Sequence, residues 1–88
     1  MSFRIDRFIS GQEVVILRVS GRMRAENVDT LREVLVPQNG RVVVDLEELA
    51  LVDREAVAFL ALSEISGIEL RNCRAYIREW VDREKRSE

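Results

Sequence analysis

The stretch that most constrains this chain runs from Arg41 to Ile65, RVVVDLEELALVDREAVAFLALSEI. A run of three valines ending in Asp45 reads as a strand buried on both faces, because β-branched side chains fit a pleated surface. A short acidic and apolar link follows. Val52-Asp53 then leads straight into an alanine- and leucine-rich helix. Asp53 stands where an N-cap is expected, its carboxylate able to accept an orphan backbone N–H. The stretch is therefore one βα unit with a carboxylate and a helix N-terminus at its mouth. Ligands and partners of α/β sheets usually dock at that end.

The flanking sequence completes an alternating pattern. Phe3–Ile9 alternates as an edge strand, Ser10-Gly11-Gln12 is a turn, and Glu13–Ser20 is a second strand, which the short turn pairs antiparallel to the first. Gly21 is expected to end that strand. Ala25–Val36 has Val28, Leu31, Val34 and Leu35 on one helical face, with Glu26 and Asp29 placed to complement the helix dipole. Pro37 stops this helix and Asn39-Gly40 turns into the Arg41–Leu46 strand. Arg54–Ile65 is a helix with a broad apolar face of Val57, Phe59, Leu60, Leu62 and Ile65, stopped at Ser66-Gly67. Ile68–Asn72 is a short strand. Arg74–Arg86 is a last helix with Tyr76, Ile77, Trp80 and Val81 along one stripe. The order ββαβαβα predicts a single small α/β domain over residues 1–88. Its sheet is mainly parallel and four-stranded, with an antiparallel N-terminal edge strand and right-handed crossovers.

Composition narrows the function. A chain of 88 residues buries only roughly 60–65% of its unfolded surface, leaving little room for an enclosed substrate cavity. A net charge of −2 argues against nucleic acid as the partner. With no histidine, the chain lacks His-based acid–base chemistry, His metal ligation and His-activated nucleophiles. Its single cysteine, Cys73, forms no intrachain disulfide. Met1 opens no basic-then-apolar leader, and no apolar run approaches the roughly 18–20 residues of a membrane span. These features predict a cytoplasmic chain without direct membrane insertion.

Several groups of residues are candidate sites. Asp45, Glu47, Glu48, Asp53 and Glu55 cluster around one loop, but no phosphate-binding glycine loop accompanies them. They read as a helix cap and a solvated acidic rim, with no metal, cofactor or catalytic residue assigned. Cys73 lies between a strand and a helix, where a thiol pKa can fall. Without a partner it reads as a packing residue. Tyr76 and Trp80 read as a seam that seals the last helix to the sheet. Arg71, Arg74 and Arg78 read as a solvated face paired with local acids such as Glu69 or Asp82.

In sequence order, Val19-Ser20-Gly21, Leu31 to Leu35, Val42 to Leu46, Val52-Asp53 and Gly67 to Leu70 resemble the STAS domain, the fold of bacterial anti-sigma factor antagonists. The resemblance spans nearly the whole chain. In that family Asp-Ser-Ser-Gly follows an apolar residue, and a kinase that is itself the anti-sigma factor phosphorylates the first serine. Here only the aspartate carries over, as Asp53. Arg54 occupies the phosphoacceptor position, Glu55 the second serine position and Ala56 the glycine position. The second helix and the loop after it are shorter than is usual in the family.

The resemblance implies a non-catalytic interaction module without the phosphorylation switch, binding a kinase-type anti-sigma factor or a signalling scaffold through Asp53, Arg54, Glu55 and Ala56. The charges of Arg54 and Glu55 oppose, so electrostatics does not select which state, phosphorylated or unphosphorylated, they mimic. An alternative is a structural subunit of an ABC-type lipid transport complex, bound to its ATPase. Homodimerisation has two routes, through the Phe3–Ile9 edge strand or through a patch left open on the second helix.

Overall fold

The computed structural model describes residues 2–11, 13–36 and 40–87. The turn and stop roles given to Gln12, Pro37 and Asn39 lie outside the described residues. The elements are β1 (Arg4–Ser10), β2 (Val14–Met23), α1 (Ala25–Leu35), β3 (Arg41–Asp45), β4 (Leu49–Val52), α2 (Arg54–Ile65), β5 (Glu69–Arg71) and α3 (Ala75–Arg86). The main path across the sheet is β1-β2-β3-β5. β1 is antiparallel to β2, and β2–β3 and β3–β5 are parallel. The α/β class and the antiparallel edge strand follow the expected pattern.

The sheet has five strands where four were expected. The added strand is β4, which lies in the supposed acidic link and pairs parallel to β2. From the Arg18/Asp45 pair to the Gly21/Leu49 pair, β2 advances three residues and its partner segment four. A further slip follows between Gly21 and Arg22. β3 and β4 thus both run along β2 in one direction, separated by irregular pairing. Bulges of this kind erase the two-residue alternation by which a strand is read from sequence. Gly21 correspondingly lies inside β2 and does not end it.

Alternation along β2 divides the sheet into two faces. Val15, Leu17, Val19 and Met23 are buried with Val28 and Leu31 of α1, Val57, Leu60 and Ala61 of α2, and Ile77 and Val81 of α3. All three helices pack into this one core. The opposite face carries Asp6, Arg18, Asp45 and Arg71 as successive cross-strand partners, so charge alternates along the row. Long arginine stems cover apolar surface while their guanidinium groups stay wet. Val43 on this face is fully buried, as expected for a strand covered on both sides. Not all of the broad apolar face of α2 is absorbed: Leu62 and Ile65 are half exposed, which leaves part of that helix uncovered.

α2 and α3 are joined by an ion network. Arg78 donates to both carboxylate oxygens of Glu64 and to Asp82 Oδ1, and Lys85 Nζ donates to Glu64 Oε1 at 2.7 Å. Hydrogen bonding from Arg78 is the main cause holding the Glu64 carboxyl below its ordinary range, with Lys85 adding to it and burial opposing it. A depressed folded-state pKa means the stabilisation is complete above the unfolded pKa and is lost as pH falls through the folded one. Glu64→Gln is therefore expected to flatten the loss of stability between about pH 5 and about pH 3, read from urea midpoints across that window. Some slope will remain, because Glu69 is also held low, chiefly by hydrogen bonding from Arg41. Identical acid limbs in the two proteins would remove the network from the pH dependence.

Candidate functional site at the start of the second helix

The mouth of the sheet is organised by Asp53. Its Oδ1 accepts from the Ala56 backbone N–H at 2.9 Å, capping α2 as expected. Its Oδ2 accepts from the Ala25 N–H, also at 2.9 Å, at the first residue of α1. The Asp53 N–H donates to the Met23 carbonyl at 3.2 Å. One carboxylate thus joins the positive ends of two helices, and the backbone of the same residue ties them to the end of β2. Arg24, just before α1, has no acceptor on its side chain. Instead its backbone N–H donates to Asn27 Oδ1, and the Asn27 N–H donates back to the Arg24 carbonyl.

This framework separates the four proposed site residues. Arg54 and Glu55 in the first turn of α2 are exposed. Asp53 is half-buried, with both carboxylate oxygens engaged as caps. Ala56 is fully buried in the core, so its methyl group offers no surface to a partner. The acidic cluster is divided as well. Asp45 is buried, accepting from the Glu47 N–H and Asn72 Nδ2, with Arg18 Nη2 at 3.7 Å. Glu47 and Glu48 face solvent. Among the described residues, no group of His, Cys, Asp or Glu is arranged to hold a metal ion.

The remaining candidates have structural partners. Burial pushes the Cys73 thiol pKa up, opposite to the activation possible at a helix start. Arg71 pairs with Glu69, and Arg78 with Asp82, as expected. Arg74 Nε donates to the Leu49 carbonyl at 3.0 Å, and the Tyr76 hydroxyl donates to the Ala50 carbonyl. Ile77 and Val81 seal α3 to the core with Trp80 packed beside them. Tyr76 departs from that seam. Its ring is half exposed and its hydroxyl reaches β4, a strand not expected from sequence.

A groove between α1 and α2 was not foreseen. It has a volume of about 350 Å³ and is lined by Arg32, Leu35, Val36, Phe59, Leu62 and residues up to Ile68. A second depression, sharing Arg32, Phe59 and Leu62, extends it back to Ala25 and Glu55. The Arg32 guanidinium lies 5.2 Å from the centroid of the Phe59 ring, close enough for a cation–π contact. A depression of mixed polarity, with Asp29 and Arg32 in its lining, thus lies between the exposed Glu55 and the apolar groove. The available sequence signal was the width of the α2 apolar stripe, which exceeds what one sheet face can cover.

No family model matches the chain, and no curated protein matches it. A solved structure does: the crystal structure of an antisigma-factor antagonist, a STAS domain from Rhodobacter sphaeroides. The similarity has a TM-score of 0.61 at 22% sequence identity and covers 78% of this chain and 83% of that chain. The chain therefore has the fold of a STAS domain.

Proposed function

We propose that this chain is a non-catalytic protein-interaction module, similar in role to an anti-sigma factor antagonist and without the phosphorylatable serine. The observation that carries the reading is continuity. Arg54 and Glu55 stand exposed on a helix start anchored by Asp53, and Glu55 lines the depression that adjoins the α1–α2 groove. A charged rim that leads through a mixed depression to an open apolar groove suits a protein partner better than a small substrate. A phosphoserine at this helix start would add about −1.5 to −2 charge. Fixed side chains of opposite sign stand there instead, so binding is constitutive. The partner is a kinase-type anti-sigma factor, met in the cytoplasm. No helix among the described residues is long and apolar enough to cross a membrane.

Arg54→Glu tests this reading. The side chain is exposed and an acid is favourable in a first helical turn, so stability should change by less than about 0.5 kcal/mol. Capture of the partner from the native host should fall more than tenfold. A kinase-type anti-sigma factor held by the wild type and lost by the variant supports the proposal. An ABC ATPase held equally by both would replace it with a structural role in a transport complex.

A further inference from the structure

The outer edge of β1 is the longest uncovered backbone edge in the described sheet. β1 ends the strand order, and among the described residues no strand pairs with its outer side. Its pairing with β2 runs unbroken from Arg4 to Ser10, without a bulge, and the strand contains no proline. Bulges, prolines and short strands are the usual devices that keep such an edge from pairing with another chain. What remains for that purpose is charge, and here the charge pattern selects one arrangement.

The geometry points to a homodimer in which β1 of one copy pairs antiparallel with β1 of the next, in the register centred on Ile5. Directly opposite residues in an antiparallel pair share a face, so a two-fold axis normal to the sheet must pass through a residue position. Centring on Arg4, Asp6 or Arg7 places like charges opposite each other on the axis. Centring on Phe8 brings no two charges together. Centring on Ile5 sets Arg4 of each copy opposite Asp6 of the other, giving two ion pairs around the axis. It also sets the Phe3 ring opposite the Arg7 guanidinium. Arg4 and Asp6 lie on the helix-free face, with their side chains 71% and 31% exposed, and Arg4 Nε already lies 3.0 Å from Asp6 Oδ2 within the chain. In the dimer the four groups form an alternating square. The two sheets become one, and the helices of both copies stay on the same face. This surface is separate from the start of α2, so a dimer leaves Arg54 and Glu55 open.

The test uses mixed charge variants in sedimentation equilibrium, over a roughly thousandfold concentration range up to about 1 mM. Wild type should dimerise. Arg4→Asp alone sets acids opposite acids, and Asp6→Arg alone sets bases opposite bases, so each should weaken dimerisation more than tenfold. An equimolar mixture restores both cross-chain pairs and should yield a heterodimer, although neither variant has its intrachain pair. As an independent measure, Ile5→Cys in a Cys73→Ser background should form a disulfide-linked dimer under mild oxidation, because the two thiols meet on the axis. Wild type that stays monomeric throughout would overturn the proposal. So would a dimer indifferent to the single variants, or a mixture that fails to associate.

Discussion

Gly21→Ala is expected to lower stability by roughly 2–5 kcal/mol, the largest effect of any alanine substitution at a glycine of this chain. Gly21 has φ +89°, and a Cβ there would lie 1.9 Å from the carbonyl oxygen of Ser2 and 3.0 Å from its carbonyl carbon. Two costs combine. A side chain at this φ costs about 1–2 kcal/mol in any surroundings. The backbone at Ser2 must also move, and it carries Phe3, whose ring packs against the core. Losing much of that burial costs up to about 1.5–3 kcal/mol more. Gly67 is the control, because its φ is +106° but nothing lies within 4 Å of its missing Cβ. Gly67→Ala should show the backbone strain alone. Urea unfolding of the two variants separates the terms: a Gly21→Ala midpoint no lower than that of Gly67→Ala would show that the N-terminal segment moves aside freely. A domain of this size holds only about 4–13 kcal/mol in total, so the larger figure approaches loss of the fold.

Asp53→Ala is expected to cost roughly 2–4 kcal/mol, more than an ordinary N-cap replacement at about 1 kcal/mol. The excess arises because the carboxylate serves two helices. Removing it leaves both the Ala56 and Ala25 N–H groups without their acceptor. Asp53→Asn keeps a single acceptor oxygen, so it should retain one of the two bonds and cost about half as much. Amide hydrogen exchange distinguishes this from simple capping. In Asp53→Ala, protection should fall at Ala25 as well as at Ala56, although the two lie far apart in sequence. Unchanged exchange at Ala25 would reduce Asp53 to a cap for α2 alone.

Much of the framework was legible in the chain because it rests on local physics. The β-branched run of β3, the apolar spacing of α1 and the cap before α2 each follow from the preferences of neighbouring residues. Those preferences placed three helices and four of the five strands, and put the antiparallel strand at the edge. β4 was not legible, because it is only four residues of unbroken apolar sequence directly after two acids, and its irregular pairing comes from a strand distant in sequence. The candidate site was legible to a similar depth. Arg54 and Glu55 were placed correctly at an exposed helix start, whereas Ala56 went into the core because it lies on the inward face of the same turn.

The sequence by itself determined the α/β class, the order of the elements it revealed and the position of the charged rim, since each depends on spacing within one segment. Tertiary structure decided the rest. It showed that Asp53 also caps α1, that Tyr76 and Arg74 bond to β4, and that the α1–α2 seam opens into a groove. Each of these depends on where two remote segments meet, and no local preference encodes that distance.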